Sequence, residues 1–165
     1  MGRVRPVTDG PWLDEAEMEA WLALVGVLLR LGPALDSQVQ GESGMTHFDY
    51  QVMAMLSAVP DRRLPMSELA VQVNASLSRL SHVVKKLETR GWLARTPSPV
   101  SRRVTECSLT AAGYDVLVAA APGHVRAVRQ LVFEGLAPEQ VRQLAAIAGT
   151  IRANLDASGL STLDG

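Results

Sequence analysis

The sequence predicts a mainly α-helical fold that carries one small β-hairpin, which places the chain in the α+β class. Two patterns indicate this class. Through most of the chain, apolar residues recur three or four positions apart, which is the period of an amphipathic helix. Between Trp92 and Leu109 that period is lost, and two short runs flank a proline- and serine-rich tip, as in a hairpin. With 47% hydrophobic residues among 165, the chain can bury a core.

The first helix is predicted from about Leu13 to Leu35, with a kink or an end at Gly32-Pro33. Its middle is apolar nearly all the way round, so we expect other helices to cover it. The apolar run is interrupted by an arginine and a proline and is shorter than the roughly 20 residues that span a bilayer, which predicts a buried helix. The polar segment "DSQVQGESG", residues 36–44, is predicted to be a loop.

Two shorter helices follow. The second begins at a capping box, Thr46 with Asp49 three residues later, and the third lies in "MSELAVQV" with Ser67 as its cap. The segment "PDRRLP" between them is predicted to be a turn. The inward-facing residues of the two helices are predicted to be Phe48, Val52, Met55, Leu56, Val59, Leu69, Ala70 and Val73.

The segment "SLSRLSHVVKKLETRG", residues 76–91, predicts a fourth helix with two contrasting faces and Ser76 as its cap. One face carries an apolar stripe: Leu77, Leu80, Val83, Val84 and Leu87. The opposite face is basic: Arg79, His82, Lys85 and Lys86. Because this helix closely follows the third, the pair has the outline of a helix-turn-helix.

The hairpin extends that outline to a winged helix-turn-helix. Its strands are predicted at Trp92–Arg95 and Val104–Leu109, and in such an arrangement the helix can enter a major groove while the wing reaches an adjacent groove. The charge distribution agrees: residues 61–103 hold nine Lys or Arg against three acids, a net charge of +6, whereas the remainder carries −7. A basic centre between acidic flanks is typical of a chain with one part that meets nucleic acid.

Two further helices complete the chain. The first begins at a Thr110 cap and is predicted to be kinked or divided at Pro122-Gly123. The last is predicted from about Pro138 to Leu155, with one apolar side: Val141, Leu144, Ile147, Ala148, Ile151 and Leu155. Since the first and last helices are both strongly apolar, we expect them to pack together and against those of a second chain.

The order of these motifs resembles the MarR (multiple antibiotic resistance regulator) family of bacterial transcription factors. The resemblance rests on "SELA", on the "LE-x-x-G" of residues 87–91 with Arg95 shortly after, and on the "LT-x-x-G" of residues 109–113. It extends over about Leu13 to Leu155 and is strongest from Leu64 to Gly113.

The resemblance implies a fold and a function. Residues 1–165 would form a single MarR-like unit, with residues 13–45 and 111–156 as a helical dimerisation frame and residues 46–110 as the DNA-binding lobe. The chain would be a cytoplasmic, nucleoid-associated homodimer that binds a near-palindromic operator in double-stranded DNA. It would repress nearby genes and be released by a small, often aromatic, ligand, with no membrane partner.

The DNA-binding site is assigned to the fourth helix and the wing. Short serines allow close approach, arginine and histidine can reach base edges, and lysines suit phosphates. The recognition-helix residues are Ser76, Ser78, Arg79, Ser81, His82, Lys85 and Lys86, and the wing residues are Arg102 and Arg103. Many family members carry Asp-Xaa-Arg in the wing, whereas this chain has Ser101 in place of the aspartate, so we expect a looser, more electrostatic contact. Arg62 and Arg63 either touch phosphate or are solvated.

Other functions are disfavoured by missing motifs. No glycine-rich phosphate loop, nucleophile elbow or metal-ligand cluster is present, and the three histidines lack zinc spacing, so we expect no enzyme, metal or cofactor. The alternative function is a winged-helix protein-interaction module without specific DNA binding. Trp21, His47, Tyr50 and His124 could line a ligand pocket, but core packing or exposure explains each equally well, so ligand-binding residues stay unassigned.

The single cysteine, Cys107, cannot form an internal disulfide, so nothing in the sequence requires an oxidising compartment. The N-terminus shows no apolar segment of signal-peptide length after its basic residues, so we expect no secretion signal. Alternation along the predicted strand could turn Cys107 inward, where a small apolar filler is a more common role than a redox sensor.

Overall fold

The computed structural model describes residues 12–101 and 103–158, in which one three-stranded sheet lies among six α-helices. The sheet is antiparallel, with strand order β1-β3-β2. The mainly helical α+β class is therefore confirmed. The elements are α1 (Glu15–Ser43), α2 (His47–Ser57), β1 (Arg63–Pro65), α3 (Met66–Gln72), α4 (Leu77–Thr89), β2 (Leu93–Pro97), β3 (Thr105–Leu109), α5 (Ala111–Val128) and α6 (Pro138–Ala157).

The described residues form two compact units, divided within α1 after Ala34. In the first unit, Asp14 and Glu17 exchange backbone-to-carboxylate hydrogen bonds of 2.8 and 2.9 Å, which start the helix as a capping box does. Its apolar side chains are exposed in the single chain. They include Met18, Trp21, Leu22, Val27, Leu28 and Leu29.

The predicted loop at residues 36–44 is wrong, because α1 continues through Pro33 to Ser43. Leu35 and Val39, one helical turn apart, are buried in the second unit, and this burial outweighs the weak helix propensity of the surrounding glycine and serine residues. Gly44, with φ of 63°, then ends the helix in the left-handed conformation that glycine adopts most readily.

Helix α1 is longer than the apolar run from which the sequence predicted a buried helix and no membrane span. An 18-residue window of this 29-residue helix has a mean hydropathy of 1.5, so by length and composition alone α1 could cross a membrane. The short apolar run therefore does not by itself exclude a membrane span.

The core of the second unit lies between α2, α3, α4 and the sheet. Val52, Met53 and Leu56 of α2 are fully buried, whereas Met55 is 38% exposed, so Met53 and not Met55 belongs to the inward stripe. On α4, Leu80, Val84 and Leu87 are fully buried, as predicted. Leu77 is 54% exposed, contrary to prediction, because it stands at the first position of α4, at the edge of the packed region.

The predicted helix caps are mostly confirmed. The Thr46–Asp49 capping box is present, Ser76 accepts a hydrogen bond from the Arg79 backbone N–H at 3.3 Å, and Thr110 caps α5. The Ser67 cap is wrong: α3 begins at Met66 without a side-chain cap. The chain enters α3 directly from β1, a short strand in the segment predicted as a turn, which pairs with β3.

Helix α5 is continuous from Ala111 to Val128, so Pro122-Gly123 does not divide it. A Cβ placed at Gly123 would overlap the carboxylate of Glu42, which shows how closely α1 and α5 approach within the second unit. A π-helical segment, Arg129–Phe133, follows, and then α6. As on α1, the apolar side chains of α6 are exposed in the single chain, including Leu144, Ile147, Ile151 and Leu155.

Candidate nucleic-acid interface

The exposed face of α4 carries four of the seven predicted recognition-helix side chains. Ser78, Arg79, His82 and Lys85 are exposed, and their spacing of one and then three residues places them on one side of the helix. Together with Ser81 and Val83 they line an open surface depression. The buried stripe on the opposite side holds α4 against the core, so this polar face is presented outward.

The other three predicted residues make contacts within the lobe. Ser76 caps α4, and the Ser81 hydroxyl accepts a hydrogen bond from Arg95 Nη1 at 3.4 Å. Lys86 is ion-paired with Asp49, with 2.6 Å between Nζ and Oδ1. The Ser76 cap was predicted from the sequence, whereas the contacts of Ser81 and Lys86 join residues 14 and 37 positions apart, so no local pattern predicted them.

The Arg79 guanidinium lies over the ring of Phe48, 4.2 Å from the ring centroid. Such a cation–π contact uses the face of the guanidinium and leaves the N–H groups at its edge available for hydrogen bonds. Arg79 is therefore held in place without losing its donors.

The wing is tied to α4 by Glu88 and Arg95. Glu88 accepts hydrogen bonds from the backbone N–H and from Nε of Arg95, both at 2.9 Å, and Arg95 Nη2 lies 2.6 Å from Glu88 Oε2. The hydrogen bond from Arg95 to Glu88 raises the pKa of Arg95, with the nearby charge of Glu88 adding to the effect and burial opposing it. Because Arg95 is on β2, this network fixes the hairpin relative to α4.

The tip of the wing is a closed turn. The Ser98 backbone N–H donates to the Val104 carbonyl at 2.8 Å, and the Val104 N–H donates to the Ser101 carbonyl at 2.9 Å. Arg103 is an exposed residue of this turn, whereas Arg102 lies outside the described residues. The structure therefore places one of the two predicted wing arginines, at the surface of the hairpin.

The two arginines before α3 have partners within the second unit. The Arg62 guanidinium lies 3.5 Å from the centroid of the Tyr114 ring, and Arg63 is 3.5 Å from the carboxylate of Glu106. Both contacts link the turn around Asp61 to neighbouring elements, so a structural role accounts for these cations.

Comparison with known proteins identifies the family. A family model described as "MarR family" matches residues 43–104. The chain is 41% identical to Sco3205, a MarR family transcriptional regulator from Streptomyces coelicolor whose crystal structure is in complex with DNA; the match covers 87% of this chain and 94% of that one, with a TM-score of 0.83. The chain belongs to the MarR family of transcriptional regulators. This confirms the resemblance and, at the level of the family, the expectation of a regulator that is not an enzyme.

Two further relatives agree with this assignment. AbsC, a MarR family transcriptional regulator from Streptomyces coelicolor, is 31% identical, with 90% of this chain and 99% of AbsC covered and a TM-score of 0.84. The HTH-type transcriptional regulator PapX of Escherichia coli is 31% identical over 77 residues, which is 47% of this chain and 47% of PapX. The match thus spans about half the length of this curated relative.

Membership in the MarR family also bears on α1. The match with Sco3205 covers 87% of the chain and so leaves about 21 of its 165 residues unmatched. Helix α1 alone has 29 residues. At least part of helix α1 therefore lies in the region that matches Sco3205.

A histidine cluster lies in the second unit of this MarR family chain. The ring centroids of His47 and His124 are 5.3 Å apart, and those of Tyr50 and His124 are 4.4 Å apart. The sequence suggested these three residues and Trp21 as a possible pocket lining, and Trp21 belongs to the first unit. Within the described residues, no group of three or more His, Cys, Asp or Glu is arranged to hold a metal ion.

Burial lowers the pKa of both histidines. For His47 the nearby His124 lowers the pKa further, while Asp36 opposes the shift. For His124 burial alone is the cause. The folded chain therefore binds fewer protons at these two sites than the unfolded chain does at slightly acidic pH.

These shifts predict that the free energy of unfolding falls as the pH drops below about 6.5, the ordinary pKa of histidine. The sign follows from proton uptake: the unfolded chain takes up protons in this range before the folded chain does, so acidification favours unfolding. Urea unfolding between pH 8 and pH 5 measures the effect. A His47→Gln, His124→Gln variant should lose much of the pH dependence between about 5.5 and 7; the same pH dependence in variant and wild type would contradict the prediction.

Cys107 is fully buried on β3, as the strand alternation suggested. Burial raises the pKa of its thiol to about 12, with Glu88 adding to the rise and Arg95 opposing it. Since the thiolate is the reactive form, Cys107 should be inert in the native state.

We therefore expect no reaction of native Cys107 with a thiol-specific disulfide reagent at pH 8, and full reaction in guanidinium chloride. Hydrogen peroxide at concentrations that oxidise free cysteine should leave DNA binding unchanged. Native reactivity close to that of the unfolded chain would contradict this prediction and reopen a redox role.

Proposed function

We propose that the chain is a sequence-specific, homodimeric DNA-binding regulator that represses nearby genes. The observation that carries the proposal is the polar face of α4, which is opposite the fully buried Leu80, Val84 and Leu87. Its exposed side chains are Ser78, Arg79, His82 and Lys85. The DNA complex of Sco3205, which is 41% identical, supports the same partner for this chain.

Each exposed side chain has a role suited to its chemistry. Arg79 makes a bidentate contact with a guanine edge, His82 contacts a neighbouring base, and Ser78 lets the backbone approach closely. Lys85 neutralises a phosphate. In the wing, Arg103 enters the minor groove beside Arg102, and Ser101 supplies only a hydroxyl where many family members have a bracing aspartate.

A second copy of the chain covers the exposed apolar side chains of α1 and α6. In this proposal residues 13–45 and 111–156 form the dimerisation frame, and residues 46–110 form the DNA-binding lobe. Two lobes related by two-fold symmetry meet two half-sites about one helical turn apart, which accounts for a near-palindromic operator.

Regulation in this proposal works through the spacing of the two α4 helices. A small aromatic ligand binds better to a form with altered spacing and thereby releases the operator. The regulator acts in the cytoplasm, associated with the nucleoid through its DNA contacts and without a membrane partner.

The test is binding of the full chain to the duplex upstream of its own coding sequence and to a shuffled duplex of equal length. We expect a preference of at least about 1,000-fold at physiological salt and a steep loss of affinity as salt rises. Sedimentation should show a dimer. Equal affinity for the two duplexes would refute a sequence-specific regulator, and salt-insensitive weak binding or none would favour the protein-interaction module.

A further inference from the structure

Asp49 is a charged side chain buried in the lobe, with 1% of its surface exposed. Its Oδ2 accepts a hydrogen bond of 2.9 Å from the Thr46 backbone N–H, which completes the α2 capping box. Lys86 Nζ of α4 donates to Oδ2 at 2.7 Å and lies 2.6 Å from Oδ1. Burial of a carboxylate without a countercharge costs free energy. The ion pair with Asp49 therefore holds the Lys86 side chain of α4 close to α2.

The first turn of α2 contacts α4 at two points. Phe48 lies against the Arg79 guanidinium and Asp49 binds Lys86, so two adjacent residues of α2 engage two residues of α4 that are seven positions apart. Seven residues correspond to two helical turns, or about 10 Å along the axis. Together with the apolar stripe, these two contacts define both the rotation of α4 about its axis and its axial position.

The rotation of α4 matters because the exposed set occupies one side of the helix. Ser78, Arg79 and His82 are close together on that side, and a rotation of α4 by 20° to 30° would shift their tips by about 2 to 3 Å at a radius of about 6 Å. Bidentate contacts with base edges tolerate much smaller displacements. Phosphate contacts by long, flexible lysines tolerate more, so loss of orientation should reduce specific binding before non-specific binding.

We propose that Asp49 is a positioning residue for DNA recognition, which acts through Lys86 to hold α4 in the orientation that reads the major groove. This inference rests on the proposed function. It also changes the role predicted for Lys86 from a phosphate contact to an anchor of α4: its side chain is 40% exposed, and its ammonium group is paired with the buried carboxylate of Asp49.

Two variants separate positioning from capping and from direct DNA contact. Asp49→Asn keeps an oxygen that can accept the Thr46 N–H but removes the charge that binds Lys86. The double variant Asp49→Asn, Lys86→Met removes both charges of this pair, so neither partner is left as an unpaired ion. The matched control is Glu106→Gln, which breaks the ion pair between β3 and Arg63 in the same lobe without touching α4.

The full chain first selects its preferred duplex from a randomised pool, and each variant is then titrated with that duplex and with a shuffled one over a salt series. We expect Asp49→Asn to weaken binding to the selected duplex by about tenfold or more and to leave the shuffled duplex within about twofold. The double variant should lose no more than Asp49→Asn alone, with the salt dependence on shuffled DNA unchanged. Glu106→Gln should match wild type.

Three outcomes would overturn the inference. One is an unchanged ratio of selected to shuffled affinity in Asp49→Asn and in the double variant. Another is an equal loss in Glu106→Gln, which would indicate general loosening of the lobe. The third is a further loss on shuffled DNA in the double variant, with a salt slope lower by about 0.9, which would make Lys86 a direct phosphate contact. If the proposed function itself fails, wild type shows no selected duplex at all, before any substitution is made.

Discussion

Replacement of Gly113 by alanine is expected to lower the free energy of unfolding by about 3 kcal/mol or more. Gly113 lies in the first turn of α5, where its N–H donates to the Thr110 hydroxyl at 3.0 Å. A Cβ at this position would overlap the carbonyl oxygen of Trp92 and lie 2.8 Å from Leu109 Cδ1. The backbone of the wing cannot yield without breaking the hydrogen bond from the Thr110 N–H to the same carbonyl, which is 3.0 Å long.

The matched control is Gly41→Ala. Gly41 is also helical, but a Cβ there would meet nothing within 4 Å, so alanine should be neutral or stabilise the chain by about 0.5 to 1 kcal/mol. Urea unfolding followed by circular dichroism measures both variants. Similar stability of Gly113→Ala and wild type would show that the wing and α5 are packed less closely than the structure indicates.

Replacement of Arg79 by alanine is expected to lower affinity for the operator by roughly 10- to 100-fold, the range for loss of one bidentate base contact. Arg79 combines an exposed guanidinium with a fixed position over Phe48, so its donors are preorganised for an edge of a base. Arg79→Lys keeps the charge but loses the planar fork, and should recover non-specific but not specific binding. Fluorescence anisotropy with operator and shuffled duplexes measures the effect.

The control for charge alone is Arg142→Ala. The Arg142 side chain is 69% exposed on α6, where it pairs with Glu139. Its replacement removes one positive charge, as Arg79→Ala does, but at a position away from α4. It should leave affinity within about twofold of wild type, provided the variant remains dimeric. If Arg142→Ala were as damaging as Arg79→Ala, net charge and not the α4 face would govern binding.

Features with a local signal could be predicted from the sequence. The α4 stripe of Leu80, Val84 and Leu87, the Thr46 and Thr110 caps and the position of the hairpin all follow from short-range periodicity or from one or two residues. The loop prediction for residues 36–44 failed because local propensity was weighed without the burial of Val39, which only the folded chain reveals.

Features of the site that depend on distant pairs could not be predicted. The Asp49–Lys86 ion pair, the Ser81–Arg95 hydrogen bond and the His47–His124 contact join residues 14 to 77 positions apart. Charge and exposure alone made Lys86 look like a phosphate contact. The sequence signal that could have suggested a buried ion pair was Asp49, an acidic residue in a mostly apolar helix.

The central claim is that the exposed face of α4 reads the major groove, and dimethyl sulfate interference on the selected duplex tests it most directly. Methylation of guanine N7 blocks the major-groove edge, whereas methylation of adenine N3 blocks the minor groove. We predict guanine interference in two clusters about one helical turn apart, which Arg79→Ala weakens in both. Interference confined to adenine N3, or absent from both grooves while binding persists, would contradict the account.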